Sequence, residues 1–125
     1  MFSHVMVGSN DIARSKKFYD ALFGAVGGKP GAEDAKGRLI YAHNGGRLMV
    51  SKPIDGKSAT HANGGTISFE APSRAAVAAF HQAALAAGGK DEGAVGPRGF
   101  WPNAYAGYVR DLDGNKLAAY CRKPE

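Results

Sequence analysis

Apolar and polar positions alternate through residues 3–8, with Val5 and Val7 on one side and His4 and Met6 on the other, so the chain opens on a predicted strand. Ser9, Asn10 and Asp11 then offer helix caps. Ile12, Phe18, Tyr19, Leu22 and Phe23 form one helical stripe, broken by Ser15. Gly24 or the pair Gly27-Gly28 ends that helix. Residues 29–37, rich in Gly, Ala and Lys, read as a loop. Short strands are predicted over 38–43 and 47–51, joined through Asn44-Gly45, since both residues tolerate the positive φ of a tight hairpin. A polar connector covers 52–64. The pattern then restarts. Residues 66–70 read as a strand, and a helix begins at Pro72-Ser73, turns Val77, Phe80, Ala84 and Leu85 inward and stops at Gly88-Gly89. Residues 91–103 read as an irregular loop, and strands over 105–110 and 116–122 meet in a turn at Asp113-Gly114-Asn115.

The restart is a repeat. A shift of 62 lays Val5 on Ile67, Val7 on Phe69, Phe18 on Phe80 and Gly27 on Gly89. A shift of 69 lays Gly45 on Gly114 and Leu48 on Leu117, which places a seven-residue insertion in the second copy's loop. One supersecondary unit is therefore used twice, as module one (about 1–53) and module two (about 64–125) of a single domain over residues 1–125. Each unit reads strand–helix–strand–strand, with one further strand expected in its irregular segment. Two such βαβββ modules predict an α+β fold, a curved mixed sheet with helices outside it and a cleft where the modules meet.

Two motifs carry a resemblance. The first is His4-Val5 followed by Asp11-Ile12-Ala13-Arg14-Ser15-Lys16-Lys17-Phe18-Tyr19; the second is the closing run from Tyr105 to Leu117, with Gly107, Asp111, Gly114 and Asn115 in it. With the duplication, they resemble the vicinal-oxygen-chelate superfamily, the glyoxalase/bleomycin-resistance/dioxygenase proteins, over nearly the whole chain. The family usually has Pro where Leu112 stands, and the loop from Gly96 to Asn103 resembles one bacterial subgroup. The resemblance implies a divalent metal in the cleft, held by His and Glu side chains from the first and last strand of each module. A cation that polarises vicinal oxygens needs several fixed hard donors and open positions. The matching positions here are His4, Met49, Thr66 and Ala118. A methyl group donates nothing, a thioether is soft and a threonine hydroxyl is a weak neutral ligand. The expectation is that the family's metal centre is absent and that no cofactor is bound. Glu70, on the strand face of Thr66 and Ser68, would serve only a displaced site.

Charge and composition change this picture little. The net charge of +5 comes from 16 basic and 11 acidic residues, scattered singly and without an aromatic-studded basic strip, which argues against a nucleic-acid partner. No run is long and apolar enough for a membrane span, and no leader pattern opens the sequence. Cys121 is the single cysteine, read as a packed thiol; with no disulfide possible in the chain, a reducing cytoplasm is the expected setting. Asp111-Leu112-Asp113-Gly114-Asn115 echoes a calcium loop, but the twelfth position is Arg122 where a bidentate Glu is needed.

The remaining candidates point to binding. Arg98, Phe100, Trp101, Asn103 and Tyr105 offer apolar walls and a few directional donors, the makeup of a small-molecule pocket, although Trp101 could equally plug its loop onto the core. His4 reads either as a half-buried strand residue or as a hydrogen-bonding group or base, and is the one catalytic candidate. His43 and His61 are expected at the surface and His81 on a helix flank. The leading expectation is a metal-free protein that holds a small, aromatic or planar molecule between modules, lined by His4, Met49, Thr66, Ser68, Trp101, Tyr105 and Ala118. The alternatives are a metal-dependent lyase, isomerase or dioxygenase of the same superfamily, and a structural or regulatory protein with a vestigial cleft. A homodimer is expected in each case.

Overall fold

The structure is a computed structural model that describes residues 1–124. Its order is β1 (Val5–Gly8), α1 (Ile12–Ala25), β2 (Ala32–Glu33), β3 (Leu39–His43), β4 (Gly46–Ser51), β5 (Ile67–Glu70), α2 (Arg74–Ala86), β6 (Lys90–Pro97), β7 (Tyr105–Arg110) and β8 (Lys116–Cys121). The strands form two four-stranded sheets of identical topology, β1-β4-β3-β2 and β5-β8-β7-β6. In each, the first strand runs parallel to the last, and the remaining neighbours are antiparallel. The duplication holds at the level of register: Val5 lies beside Leu48 and Ile67 beside Leu117. The fold is the predicted two-module α+β architecture, with the two sheets separate and not closed into one.

Local chemistry explains the elements. Asp11 and Ser73 cap the two helices, accepting from the N–H of Arg14 and Ala76. Asn44 (φ 49°) and Gly45 (φ 80°) make the two-residue hairpin between β3 and β4. Ser15 does not interrupt the buried stripe of α1 but lies inside it, because its hydroxyl is 2.6 Å from that of Ser9. Both hydroxyls thereby keep a partner away from water.

Two expectations, for Leu85 and His43, are corrected; the further strand expected in each irregular segment is present, as β2 and as β6, an eight-residue strand that takes up the first part of the predicted loop over 91–103. Its alternation is hidden because the pairing with β7 slips between Asp91 and Gly93 and again between Gly93 and Gly96, so neither face follows a period of two. Leu85, placed inward by its spacing, is 40% exposed. At the helix end the repeat slips by one, because α2 has 13 residues and α1 has 14. Gly88, not Gly89, is then the counterpart of Gly27, and both have positive φ. His43, expected at the surface, is half-buried beside Phe23.

The two helices pack on each other, and one face of each sheet closes on them in a single core. Sheet one contributes Val7, Leu39, Tyr41, Leu48 and Val50; sheet two contributes Val109, Leu117, Ala119 and Cys121. Phe23 joins the modules, stacked 4.7 Å from Tyr41 and edge-on at 5.3 Å from Phe69. Each buried aromatic or aliphatic side chain contributes about 1.5–3 kcal/mol by leaving water. The seam is tight at Gly89, where an added Cβ would lie 2.7 Å from the Arg110 carbonyl oxygen, 2.8 Å from the Phe18 ring and 2.9 Å from the Ala84 carbonyl oxygen. Two of those neighbours are backbone and cannot swing away. Gly89→Ala is therefore expected to lower stability by about 1–3 kcal/mol in chemical denaturation; an unchanged midpoint would show that the seam yields.

Candidate functional site

The faces that turn away from the helices carry the site. On sheet one, Met6, Met49 and Ile40 stand side by side across β1, β4 and β3. Met49 is buried and Met6 is 44% exposed. Beside them opens a cavity of about 840 Å3, lined by Met6, Ile12, Lys36, Arg38, Ser51 and Ile54 among others. On sheet two, Ser68, Ala118 and Tyr108 form one row and Glu70, Tyr120 and Ala106 the next. Ala104, Ala106, Ala118 and Tyr120, with Tyr108, make a second apolar cluster distinct from the main core. The Tyr108 and Tyr120 hydroxyls hydrogen-bond each other. Trp101 stands edge-on to Tyr120 at 6.0 Å, and Phe100 to Trp101 at 5.2 Å.

The sequence-predicted residues divide between these two faces. His4 precedes β1, is exposed, and its Nδ1 lies 2.9 Å from the Ser3 hydroxyl. It and Met49 belong to sheet one. Thr66, just ahead of β5, and Ser68 are exposed, whereas Ala118 in β8 is fully buried; these belong to sheet two. The helix pair lies between the two sets, so the duplication brings His4 and Met49 to one outer face and Thr66, Ser68 and Ala118 to the other.

The aromatic loop sorts in the same way. Trp101 is 49% exposed and does not plug the core. Arg98, Phe100 and Trp101 line the outer side of sheet two. Asn103 is an exposed turn residue with φ 59°. Tyr105 faces the other way, packs against the main core and carries the Arg74 guanidinium 4.8 Å from its ring centre. Sequence reasoning missed Tyr108, Lys116, Tyr120 and Arg122. The period of two was available over 116–122, where Lys116, Ala118, Tyr120 and Arg122 share one side. Only a count outward from Ala118 would have found them.

Electrostatics separate Tyr120 from an ordinary phenol. Burial, then the hydrogen bond with Tyr108, pushes Tyr120 up to about 12, so it remains a neutral hydroxyl at physiological pH. The seam cavity lined by Phe23, Tyr41, His43, Ile67 and Phe69 holds about 190 Å3. Drug-sized ligands ask for roughly 300–1,000 Å3.

The donor set fits a hard divalent cation poorly. The four positions offer one imidazole, one thioether, one hydroxyl and one methyl group, and Glu70 stands away from them in a 3.8 Å ion pair with Arg122. Among the described residues, no group of three or more His, Cys, Asp or Glu side chains is arranged to hold a metal ion. No helix among them is long and apolar enough to cross a membrane.

Comparison with known proteins places the chain. The family model of the Glyoxalase/Bleomycin resistance protein/Dioxygenase superfamily matches residues 1–119. The chain belongs to that superfamily. A glyoxalase/bleomycin resistance protein from Albidiferax ferrireducens T118 is similar in structure with a TM-score of 0.91 and 46% identity, covering 98% of this chain and 99% of that one. A glyoxalase-related enzyme from Fulvimarina pelagi follows at a TM-score of 0.73 and 22% identity, over 96% and 86% of the two chains. The fosfomycin resistance protein FosX from Listeria monocytogenes shares the fold at 0.70, with 14% identity over 96% of this chain and 91% of its own. A comparison with curated proteins finds no match. The superfamily's two-module architecture is thus what the duplicated register of this chain builds.

Proposed function

We propose that this superfamily member is a metal-free binding protein. Its ligand is a small planar molecule held between the outer face of module one in one copy and the outer face of module two in a second copy of the chain. The observation that carries the reading is the outward placement of the two site halves. His4, Met6 and Met49 lie on one side of the helix pair, and Ser68, Ala118, Tyr120 and Trp101 on the other, so neither half closes a chamber alone. A homodimer supplies the missing wall. The strands β1 and β5 are sheet edges with a free side, and Phe2, Met6, Phe100 and Trp101 are large apolar groups left 44–78% exposed. A two-fold pairing that sets β1 of one copy near β5 of the other would cover the edges and oppose a thioether wall to an aromatic one.

Binding by sequestration needs affinity and no activated oxygen, so a donor set of this kind is no handicap. The test has two arms. Light scattering at micromolar concentration should give twice the 13.0 kDa chain mass, and planar aromatic compounds that bind should raise the melting temperature of that dimer. A monomer that still binds such compounds would remove the shared chamber. Turnover of a methylglyoxal–thiol adduct or a catechol by metal-loaded protein, lost in His4→Ala, would replace the binding reading with catalysis.

A further inference from the structure

Three of the sixteen basic residues, scattered singly in the sequence, meet on the outer face of sheet two. The Arg122 guanidinium lies 4.4 Å from the centre of the Trp101 ring and 5.3 Å from that of Tyr120. Arg98 lies 5.4 Å from the Tyr108 ring centre and the Lys116 ammonium 5.1 Å from the same ring. These contacts place three cations against the rings of Tyr108, Tyr120 and Trp101, whose two phenol hydroxyls hydrogen-bond each other. We propose that this array receives the oxyanion of an anionic planar ligand: a carboxylate, phosphate or phosphonate carried on an aromatic ring. The inference rests on reading this face as half of the ligand chamber, and goes beyond it by naming the ligand's charge.

The charges on this face are not spent within the protein. Among the described residues, neither Arg98 nor Lys116 has a carboxylate within ion-pair distance. Arg122 has one, Glu70 at 3.8 Å, and both side chains are well exposed, so the pair holds the guanidinium weakly. Arg110 is different: it is committed to Glu92 at 3.0 Å and to the Gly114 carbonyl oxygen at 2.9 Å. Among the described residues, the ion pairs of these three cations amount to one carboxylate, Glu70.

Arg98 is also held in place. It donates to the carbonyl oxygens of Ala94 (2.8 Å), Gly96 (2.9 Å) and Pro97 (3.2 Å), which fixes its charge without neutralising it. A cation fixed before the ligand arrives loses little freedom on binding. The ring faces speak to sign as well. Trp101, Tyr108 and Tyr120 each already carry a protein cation, so an incoming ammonium meets occupied π-faces and like charge, while an oxyanion meets guanidinium donors suited to its geometry. In the hydroxyl pair one O–H donates to the other oxygen, which leaves the second O–H to donate outward. The Tyr120 hydroxyl stays protonated because burial and Tyr108 outweigh Arg98 and Arg122, both of which act on it in the opposite sense. Both guanidinium groups therefore bear on the place where a ligand oxygen would accept.

Trp101 is the chain's single tryptophan and reports on this face directly. Its fluorescence in the intact protein can be titrated with a size-matched series: benzoate, phenylphosphonate, benzyl alcohol and benzylamine. The anions should bind about tenfold or more tighter than the alcohol, and benzylamine weakest, since one charge-assisted contact is worth about a factor of ten. Lys116→Gln and Arg122→Gln should each weaken the anions about tenfold while leaving benzyl alcohol unchanged; their melting temperatures verify that both variants are folded. Equal binding of anion, alcohol and amine, or anion affinity untouched in both variants, overturns the charge assignment and leaves the chamber standing. A series in which no compound perturbs Trp101 overturns both.

Discussion

Replacing Asp111 by alanine should lower the unfolding free energy by about 3 kcal/mol or more, since a buried carboxylate leaves several donors unpaired when it is removed. Asp111 is 6% exposed. One of its oxygens, Oδ1, accepts from the N–H groups of Asp113 (2.9 Å) and Asn115 (2.8 Å) and so forms the β7–β8 turn. The other, Oδ2, accepts from the Asn115 side chain (2.8 Å) and from the Tyr19 hydroxyl (2.5 Å). Tyr19 belongs to α1, in the other module. A single carboxylate thus shapes a turn in module two and ties it to the helix of module one. Asn115 adds to the joint by donating to the Gly8 carbonyl oxygen at 3.3 Å, and Asp113 by accepting from the Asn10 N–H at 3.0 Å. Urea denaturation of wild type, Asp111→Ala, Tyr19→Phe and the double variant would measure both the loss and the coupling. A loss below about 1 kcal/mol, the scale of an ordinary net hydrogen bond, would mean that water replaces the carboxylate at little cost.

The second large effect appears in alkali. Burial, then the adjacent Asp111, pushes the Tyr19 phenol well above its ordinary range. Burial and the hydrogen bond to Asp20, at 2.7 Å, do the same to Tyr41. In the unfolded chain both phenols ionise near their usual value of about 10. Below that pH the folded and unfolded chains bind the same protons at these sites, and stability is complete. Above it the unfolded chain has released protons that the folded chain still holds. Stability then falls by up to about 1.4 kcal/mol per pH unit for each tyrosine. Circular dichroism should show a steep cooperative loss of structure above about pH 10, accompanied by a step in tyrosinate absorbance as unfolding releases Tyr19 and Tyr41. Tyr41→Phe should make the descent shallower. A difference in tyrosinate absorbance between wild type and Tyr41→Phe that develops while both stay folded would contradict the burial argument.

Much of the fold was legible because it is written twice. A period of two in residues 3–8 and 66–70, helix caps at Asp11 and Ser73, and Asn44-Gly45 between two apolar runs each carry a local physical cause, and each recurs where the repeat requires it. The pieces that escaped lack such a cause. The pleat of β6 is broken by glycines at two register slips, so its side chains keep no rhythm. Leu85 continues the helical spacing of Val77 and Phe80 yet is 40% exposed, because spacing alone does not show how far the neighbouring sheet covers a helix face. For the site, the repeat located His4, Met49, Thr66 and Ala118 as equivalent positions, but equivalence of position does not fix which way a module faces. That depends on Phe23 packing between Tyr41 and Phe69 across the modules, a contact between residues far apart in sequence. The cations at Arg98, Lys116 and Arg122 became a group only through the rings that lie between them.

The placement of the core carries a last consequence. The main core, from Phe18 and Phe80 to the Asp111 joint, lies inward of the two sheets, and the smaller cluster of Ala104, Ala106, Ala118 and Tyr120 lies apart from it on the outer face of sheet two. Exposed positions on either exterior, such as Met6 and Trp101, are thereby kept apart from the main core. A duplicated scaffold of this kind can change what such positions recognise on one flank and leave the opposite flank, and the main core, as they were.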